Sequence, residues 1–325
     1  QDSAWIFLNV NPLVTVLGKN YGSFFREMLE SNHIAPGQVV VEILENGIYD
    51  ETILSAAVDY YKNLGCLVAL DDFGAAHSNF DRIWNLQPDI VKFDRSIVQQ
   101  AESSRKVRKA LPNLVSLIQE LGCLTLMESV ETEQQALIAM DANVDLVQGY
   151  YFGYPSEYLV DADYRSDIML QLTHKHAGFA ADVRRRNQLR LEAPQVEFGR
   201  VLQQLKLGSV RIEQACARLL EMDNVMRVYC LDEHGDQIGG NIGNEQTLGR
   251  ADPRFAPLAA ARDANWARCN YFRSAMLNPG VIQTTRPYRS LTDKGQCITL
   301  SALIYTPAGK RVVCLDVDWT KGLEA

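Results

Sequence analysis

Oxygen-bearing side chains end successive apolar segments in the first half of the sequence. Those that could bind a metal ion are Asn9, Glu42, Asp71, Asp72 and Glu128. Amide and carboxylate oxygens are hard ligands, which suit Mg²⁺ or Mn²⁺ better than zinc or copper. Carboxylates gathered at one place repel one another strongly unless cations neutralise them. The set therefore predicts a divalent-metal site.

The adjacent pair Asp71 and Asp72 indicates two metal ions that share one carboxylate. Two-metal sites hydrolyse phosphodiesters by activating water and by stabilising the leaving oxygen. Lys92, which lies near the end of the next apolar segment, could orient or deprotonate that water. The residue types alone leave two alternatives open. One is one-metal chemistry such as enolisation, and the other is a set of salt-bridged side chains without activity.

The polar residues follow short apolar segments that predict β-strands. The segments are residues 5–10, 39–44, 66–70, 90–93, 123–127 and 144–147, and the stretches between them carry apolar residues at helical spacing. This alternation predicts a parallel sheet covered by helices, either an open doubly wound sheet or a (β/α)8 barrel. A polar group at each strand end favours the α/β barrel, because its strand ends form one rim. Since only about six strands can be identified, we expect the first one or two to precede Gln1.

The sequence changes character after Pro155. Residues 1–160 form the predicted barrel, and residues 161–222, rich in Arg, Gln, Leu and Glu, predict its helical end and a connector. The apolar stripe in residues 198–222, which includes Val201 and Leu205, could pair two chains as a homodimer or pack on its own barrel. Strands separated by turns, ending in a long hairpin, then predict an α+β domain over residues 223–325.

Composition limits the partners and the location of the protein. The net charge of −8 argues against general binding to DNA, RNA or membrane surfaces. No apolar segment approaches the roughly 20 residues of a membrane-spanning helix, and the first residues do not resemble a signal peptide. The 7 cysteines are odd in number, and none are spaced as in zinc or redox sites. We interpret them as buried free thiols of a cytoplasmic protein.

Six blocks of the first half resemble the EAL-type phosphodiesterases, which cleave the bacterial messenger cyclic di-GMP. The blocks are residues 7–12, 41–45, 70–74, 89–94, 128–132 and 148–152, and they follow the order and separations of that family. The resemblance implies a TIM-like barrel that hydrolyses cyclic di-GMP to linear pGpG with two Mg²⁺ or Mn²⁺ ions. It also implies that Asn9, Glu42 and Asp71 bind the first ion. Asp71, Asp72 and Glu128 would bind the second ion.

The resemblance implies roles for four further residues. Lys92 would hold the attacking water. Glu131 and Gln148 would support the water and the metal shell. Glu45 would brace the loop that follows Asp72.

Three features depart from the family pattern. The Glu-Ala-Leu strand that names the family is expected before Gln1, Ala76 stands where active relatives usually have Gly, and Ser129 replaces another usual Gly. His77, on the same loop as Ala76, is better interpreted as an orienting residue than as a catalytic base. Because degenerate relatives bind the dinucleotide without cleaving it, the alternative to an enzyme is a cyclic di-GMP receptor that signals to a partner.

The end of the chain resembles the PAS/Cache class of sensory domains in residues 225–229, 266–272, 286–288 and 313–318. The resemblance implies a small-molecule pocket that regulates the barrel, with Tyr271, Arg273, Tyr288 and Asp316 as polar anchors. Arg273 would engage a carboxylate and Asp316 an amine, so we expect an amino acid or a small organic acid. Ser290 stands where an amino-acid sensor of this class often has Asp, which weakens amine recognition.

Overall fold

The structure, a computed structural model, describes residues 4–17, 21–44, 51–75, 80–157, 162–243, 264–290 and 295–320. The chain forms two compact units, Gln1–Asp182 and Val183–Ala325, called here the N-terminal and C-terminal units. Each unit has its own hydrophobic core. Within the described residues, no helix combines the length and the apolarity needed to cross a bilayer.

Six parallel strands form the sheet of the N-terminal unit, paired in sequence order. The strands are β1 Ile6–Asn9, β2 Val39–Leu44, β3 Leu67–Phe73, β4 Ile90–Phe93, β5 Leu124–Met127 and β6 Leu146–Val147. The helices between them are α1 Pro12–Leu17, α2 Tyr21–Ser31, α3 Glu51–Leu64, α4 Phe80–Leu86, α5 Arg95–Ser103, α6 Arg105–Glu120 and α7 Glu133–Asp141. The predicted parallel sheet with interleaved helices is confirmed. In the described part of the chain, β1 and β6 do not pair with each other.

The two faces of this sheet bury different sets of side chains, because successive residues of a strand point to opposite faces. Val39, Val41 and Ile43 belong to the large core that the helices cover. Val40, with Ala69, belongs to a smaller apolar cluster on the other face, which we call the inner face. Burial on both faces explains why these strands are almost continuously apolar in sequence.

The C-terminal unit contains an antiparallel sheet. Its strands are β7 Val225–Leu231, β8 Gln237–Ile242, β9 Gln283–Thr284, β10 Tyr288–Arg289, β11 Gln296–Thr306 and β12 Gly309–Asp318. They are ordered β10-β11-β12-β7-β8, with β9 also paired to β11. The predicted long hairpin is confirmed as β11 and β12, which pair in continuous register from Cys297 with Asp318 to Thr306 with Gly309.

Helices complete the C-terminal unit and account for the apolar stripe of its sequence. They are the later part of α8 Ala162–Leu207, then α9 Ile212–Ala215, α10 Ala217–Leu220 and α11 Asn270–Leu277. Val201 is fully buried and Leu205 partly buried in the core that includes strands β7, β11 and β12. These two side chains therefore pack in the C-terminal unit rather than on the barrel, and the buried Val201 is not available to pair two chains. The homodimer stays a prediction.

The cysteines are free thiols, as predicted. Five of the seven are buried, and Cys230 and Cys269 are half-buried. Burial raises the pKa of Cys66 to about 11 and the pKa of Cys216 to about 12. At neutral pH these two groups are therefore protonated and poorly nucleophilic.

Candidate functional site

The pleat of the strands brings six of the predicted site residues to one end of the inner face. Each lies two positions beyond an apolar residue of that face, so the two side chains of each pair point the same way. The parallel strands also end at a common edge, which collects these polar groups. The pairs are Phe7 with Asn9, Val40 with Glu42, Ala69 with Asp71, Ile90 with Lys92, Leu126 with Glu128 and Leu146 with Gln148.

Lys92 stands at the centre of this edge and contacts three carboxylates. Its ammonium forms ion pairs with Glu42, with Asp71 at 3.0 Å and with Glu128. Oxygens of the three carboxylates lie within 4.8 Å of one another. Lys92 is 3% exposed and Glu42 is 5% exposed, so the charges interact in a poorly hydrated site.

The cluster carries more negative than positive charge. Three carboxylates face one ammonium, which leaves a formal charge of −2. Burial raises the pKa of Glu128; Lys92 opposes that rise, and Asp71 and Glu42 add to it. A site with an excess of two negative charges and with only oxygen donors suits a hard divalent cation such as Mg²⁺ or Mn²⁺.

Burial alone would lower the pKa of Lys92, but the hydrogen bonds to Glu128, Glu42 and Asp71 outweigh it and raise that pKa. An ammonium has three N–H donors and no acceptor. In this arrangement Lys92 therefore acts as a cation and a hydrogen-bond donor, which favours orientation of a water molecule over its deprotonation.

Asp72 occupies a bulge in β3. The pairing with β4 shifts register between Leu70 and Phe73, and Asp72 has φ 58°. Bulges re-aim side chains beside functional sites, and Asp tolerates this left-handed conformation better than most residues. Burial, followed by the charges of Asp71 and Asp94, raises the pKa of Asp72. Asp72 is nevertheless outside the group of three carboxylates that lie within 4.8 Å.

Two connected loops carry Glu131 and Gln148. The N–H of Val130 donates to the carbonyl of Gln148 at 3.0 Å, and the N–H of Tyr151 donates to the carbonyl of Val130 at 3.0 Å. A Cβ on Gly149 would lie 2.2 Å from the Val130 oxygen, so only glycine allows this approach. The backbone of Glu131 is held by Gln135, which accepts its N–H at 2.8 Å.

The remaining predicted residues are not part of the carboxylate cluster around Lys92. The side chains of Asn9, Glu131 and Gln148 are exposed, and they are not members of the carboxylate cluster. Asn9 is paired in register with Glu42. Glu45, and the loop residues 76–79 that include His77, lie outside the described residues.

Ser129 adopts φ 52°, which explains why glycine suits this position. A non-glycine residue in the left-handed region costs about 1 kcal/mol or more. We expect Ser129→Gly to raise the free energy of unfolding by about 1 kcal/mol, because relief of this strain exceeds the entropy that glycine adds to the unfolded chain. Urea unfolding measures the change. Ser116→Gly, on the exposed face of α6, is the control and should be destabilising. Equal destabilisation by both variants would contradict the assignment of strain to Ser129.

The residues predicted to form a sensor site are only partly brought together. Tyr271, Tyr288 and Asp316 line one cavity of the C-terminal unit. Arg273 does not, because it lies on the exposed face of α11 and donates to Asn270 at 3.0 Å. Arg227 of β7 lines the cavity instead. A charged residue in the otherwise apolar segment of residues 225–231 was the sequence signal that could have identified it.

Comparison with known proteins agrees with this architecture. The EAL-domain family profile matches residues 2–155. The EAL-domain-containing protein YkuI of Bacillus subtilis is 26% identical over 276 residues, covering 82% of this chain and 65% of YkuI. The cyclic di-GMP phosphodiesterase RocR of Pseudomonas aeruginosa is 31% identical over 134 residues, covering 39% of this chain and 33% of RocR.

A crystal structure of YkuI, in complex with c-di-GMP and calcium, has the same fold. It superposes with a TM-score of 0.79 at 24% sequence identity, and the match covers 98% of this chain and 80% of that chain. The likeness therefore extends over both units. Residues 2–155 match the EAL-domain profile, and the described part of this range has a TIM-like parallel fold. A second domain built on an antiparallel sheet follows it in the chain.

Proposed function

We propose that the EAL domain binds cyclic di-GMP and hydrolyses it to linear pGpG with divalent metal ions. The observation that carries this proposal is the cluster of Glu42, Asp71 and Glu128, which has excess negative charge and only oxygen donors. The relative RocR is named a cyclic di-GMP phosphodiesterase, and the YkuI crystal structure contains c-di-GMP and calcium. Both are consistent with a dinucleotide substrate here.

The donor set fits a hard cation. The carboxylate oxygens of Glu42, Asp71 and Glu128 would coordinate the metal. Asn9, beside Glu42, and Asp72, beside Asp71, would be further ligands. We propose two Mg²⁺ or Mn²⁺ ions that share Asp71. Bound there, such ions supply a Lewis acid for the phosphodiester and an activated water.

Lys92 is the group of this chain that we assign to the water. In the structure its ammonium forms ion pairs with three carboxylates. Where cations neutralise those carboxylates, the same N–H bonds can orient a water oxygen or a phosphate oxygen. The exposed side chains of Glu131 and Gln148 lie on the loops next to this edge, from which they can contact that water. We further propose that the C-terminal domain is a PAS/Cache-like sensor that regulates the reaction.

We expect Asp71→Asn to abolish metal-dependent hydrolysis, because it removes the charge of the shared ligand while it keeps the shape of the side chain. The assay incubates the full-length protein with cyclic di-GMP and Mn²⁺ or Mg²⁺, and chromatography measures linear pGpG. The rate should fall at least about 100-fold. The matched control is Asp59→Asn, since Asp59 is an exposed aspartate on α3. It should keep the parent rate.

Three results would contradict parts of this proposal. An Asp71→Asn variant that keeps the parent rate would refute the metal assignment. A parent protein that binds cyclic di-GMP without cleaving it would be a receptor instead, an alternative favoured by Ser129 in the place of a usual Gly. A parent that neither binds nor cleaves the dinucleotide would refute the proposal as a whole.

A further inference from the structure

Hydrogen bonds from three successive backbone N–H groups hold the loop that precedes α7. The N–H of Val130 donates to the carbonyl of Gln148 at 3.0 Å. The next two N–H groups, those of Glu131 and Thr132, both donate to the side-chain Oε1 of Gln135, at 2.8 Å and 3.3 Å. The backbone that carries the exposed side chain of Glu131 is therefore fixed at three consecutive residues.

Gln135 also belongs to a capping box at the start of α7. Its own N–H donates to the Thr132 Oγ1 at 3.2 Å, while its side chain returns to the loop. A capping box uses either Glu or Gln at this position, and the helix dipole favours a carboxylate at a helix N-terminus. The capping of α7 therefore does not explain why this residue is an amide.

The partner that requires an amide lies on α5. The Gln135 Nε2 donates to the Glu102 Oε2 at 2.8 Å. Because a carboxylate only accepts hydrogen bonds, it holds the amide nitrogen toward Glu102 and leaves the amide oxygen directed at the loop. Gln135 is 7% exposed and Glu102 is half-buried, so competition from water is reduced.

The backbone around Glu102 is itself held in place. Arg108 of α6 donates from its Nε to the carbonyl of Ala101 at 2.9 Å and from its Nη2 to the carbonyl of Glu102 at 2.6 Å. Glu102 lies in the last turn of α5, where the helix dipole favours basic side chains over acidic ones. The capping of α5 therefore explains Arg108, whereas Glu102 is explained by its hydrogen bond to Gln135.

We propose that Glu102 and Gln135 are positioning residues for Glu131. Glu102 orients the amide of Gln135, and the amide oxygen fixes the backbone of Glu131 so that its side chain can contact the attacking water. Both act through Glu131, and we assign neither of them a contact with the dinucleotide. This inference rests on the proposed function, because the water is the one that hydrolysis would use.

The first test compares loss of the pair with its exchange. Gln135→Met keeps the length of the side chain but removes the acceptor, so kcat should fall at least about tenfold while KM changes little. The double variant Gln135→Glu, Glu102→Gln reverses the hydrogen bond between the two side chains and keeps an acceptor for the loop. It should return kcat to within about threefold of the parent value. Gln134→Met, at an exposed residue in the same turn of α7, is the control and should keep the parent rate.

Two further measurements separate positioning from folding. If the pair were merely structural, Gln135→Met would lower the urea midpoint but leave the kcat of the folded protein unchanged. Hydrogen exchange in peptides that cover residues 128–135 needs no activity. Gln135→Met should speed exchange at residues 131 and 132 about tenfold, because their acceptor is lost, and the double variant should restore the parent rate of exchange. Should Gln135→Met fail to fold, Glu102→Met removes only the partner of the amide and should lower kcat about threefold or more.

The outcomes for this pair and for the proposed function are distinguishable. The positioning role is overturned if Gln135→Met keeps the parent kcat, or if the double variant is no faster than Gln135→Met. A parent that does not cleave cyclic di-GMP refutes the proposed hydrolysis instead. Exchange then still decides whether the pair holds the loop: faster exchange in Gln135→Met supports it, and unchanged exchange overturns it.

Discussion

Lys92→Ala should lower the turnover of cyclic di-GMP by roughly 100-fold or more, while affinity for the dinucleotide falls much less. A group that positions the attacking water acts mainly in the transition state, so its loss affects catalysis more than ground-state binding. Binding is measured in Ca²⁺, which should support binding without cleavage. The comparison of turnover with binding therefore isolates the role of Lys92. Equal losses in both would refute a role in holding water.

The same variant has a second measurable consequence that depends only on the carboxylate cluster. Without the ammonium, Glu42, Asp71 and Glu128 face one another with no positive partner among the described residues. Removing one partner of a buried pair destabilises by about 3–5 kcal/mol. Mn²⁺ should then stabilise Lys92→Ala more than it stabilises the parent. Lys106→Ala, an exposed lysine on α6, controls for loss of a positive charge and should respond to Mn²⁺ as the parent does.

Gly149→Ala should destabilise the N-terminal unit by about 3 kcal/mol, since overpacking and the loss of backbone hydrogen bonds both contribute. The new methyl group would lie 2.2 Å from the Val130 oxygen and 2.3 Å from the Val130 nitrogen. These are backbone atoms of a buried residue, so no side-chain rotation can relieve the contact. The two loops must separate, and their mutual hydrogen bonds must break.

The shift of the urea midpoint measures this effect. Gly178→Ala is the control, because a Cβ there would meet nothing within 4 Å. Since alanine favours helix more than glycine does, that substitution in α8 should be neutral or stabilising. Hydrolysis by Gly149→Ala should also fall at temperatures where the protein is folded, because the displaced loops carry Glu131 and Gln148. A variant as stable as the parent would contradict the structure at this contact.

The strands of the N-terminal unit could be predicted because both of their faces are buried. Mostly apolar segments such as residues 39–44 and 90–93 coincide with β2 and β4 as observed. The polar residues at the ends of these segments could also be placed on one rim, since parallel strands share a common edge. Sequence spacing does not determine the distances between these polar side chains. The contact of Lys92 with three carboxylates depends on the stagger of neighbouring strands, which no local pattern reveals.

Two features escaped prediction for physical reasons. β3 was expected to end at Leu70, but it continues to Phe73 because a bulge accommodates two aspartates within the strand. In the C-terminal unit, Arg273 was chosen for its neighbours in sequence, whereas Arg227 meets Asp316 across 89 positions of chain. Long-range pairing of this kind follows from the order of the antiparallel strands, and composition does not determine that order.

The backbone conformation of Asp72 limits which residues can replace it in related sequences. Its left-handed conformation is accepted by Gly, Asn and Asp, whereas alanine or glutamate would add strain of about 1 kcal/mol or more. A descendant that lost the carboxylate but kept the fold should therefore carry Asn or Gly there. Relatives that have lost the metal ligand proposed at this position should then carry asparagine or glycine at the bulge.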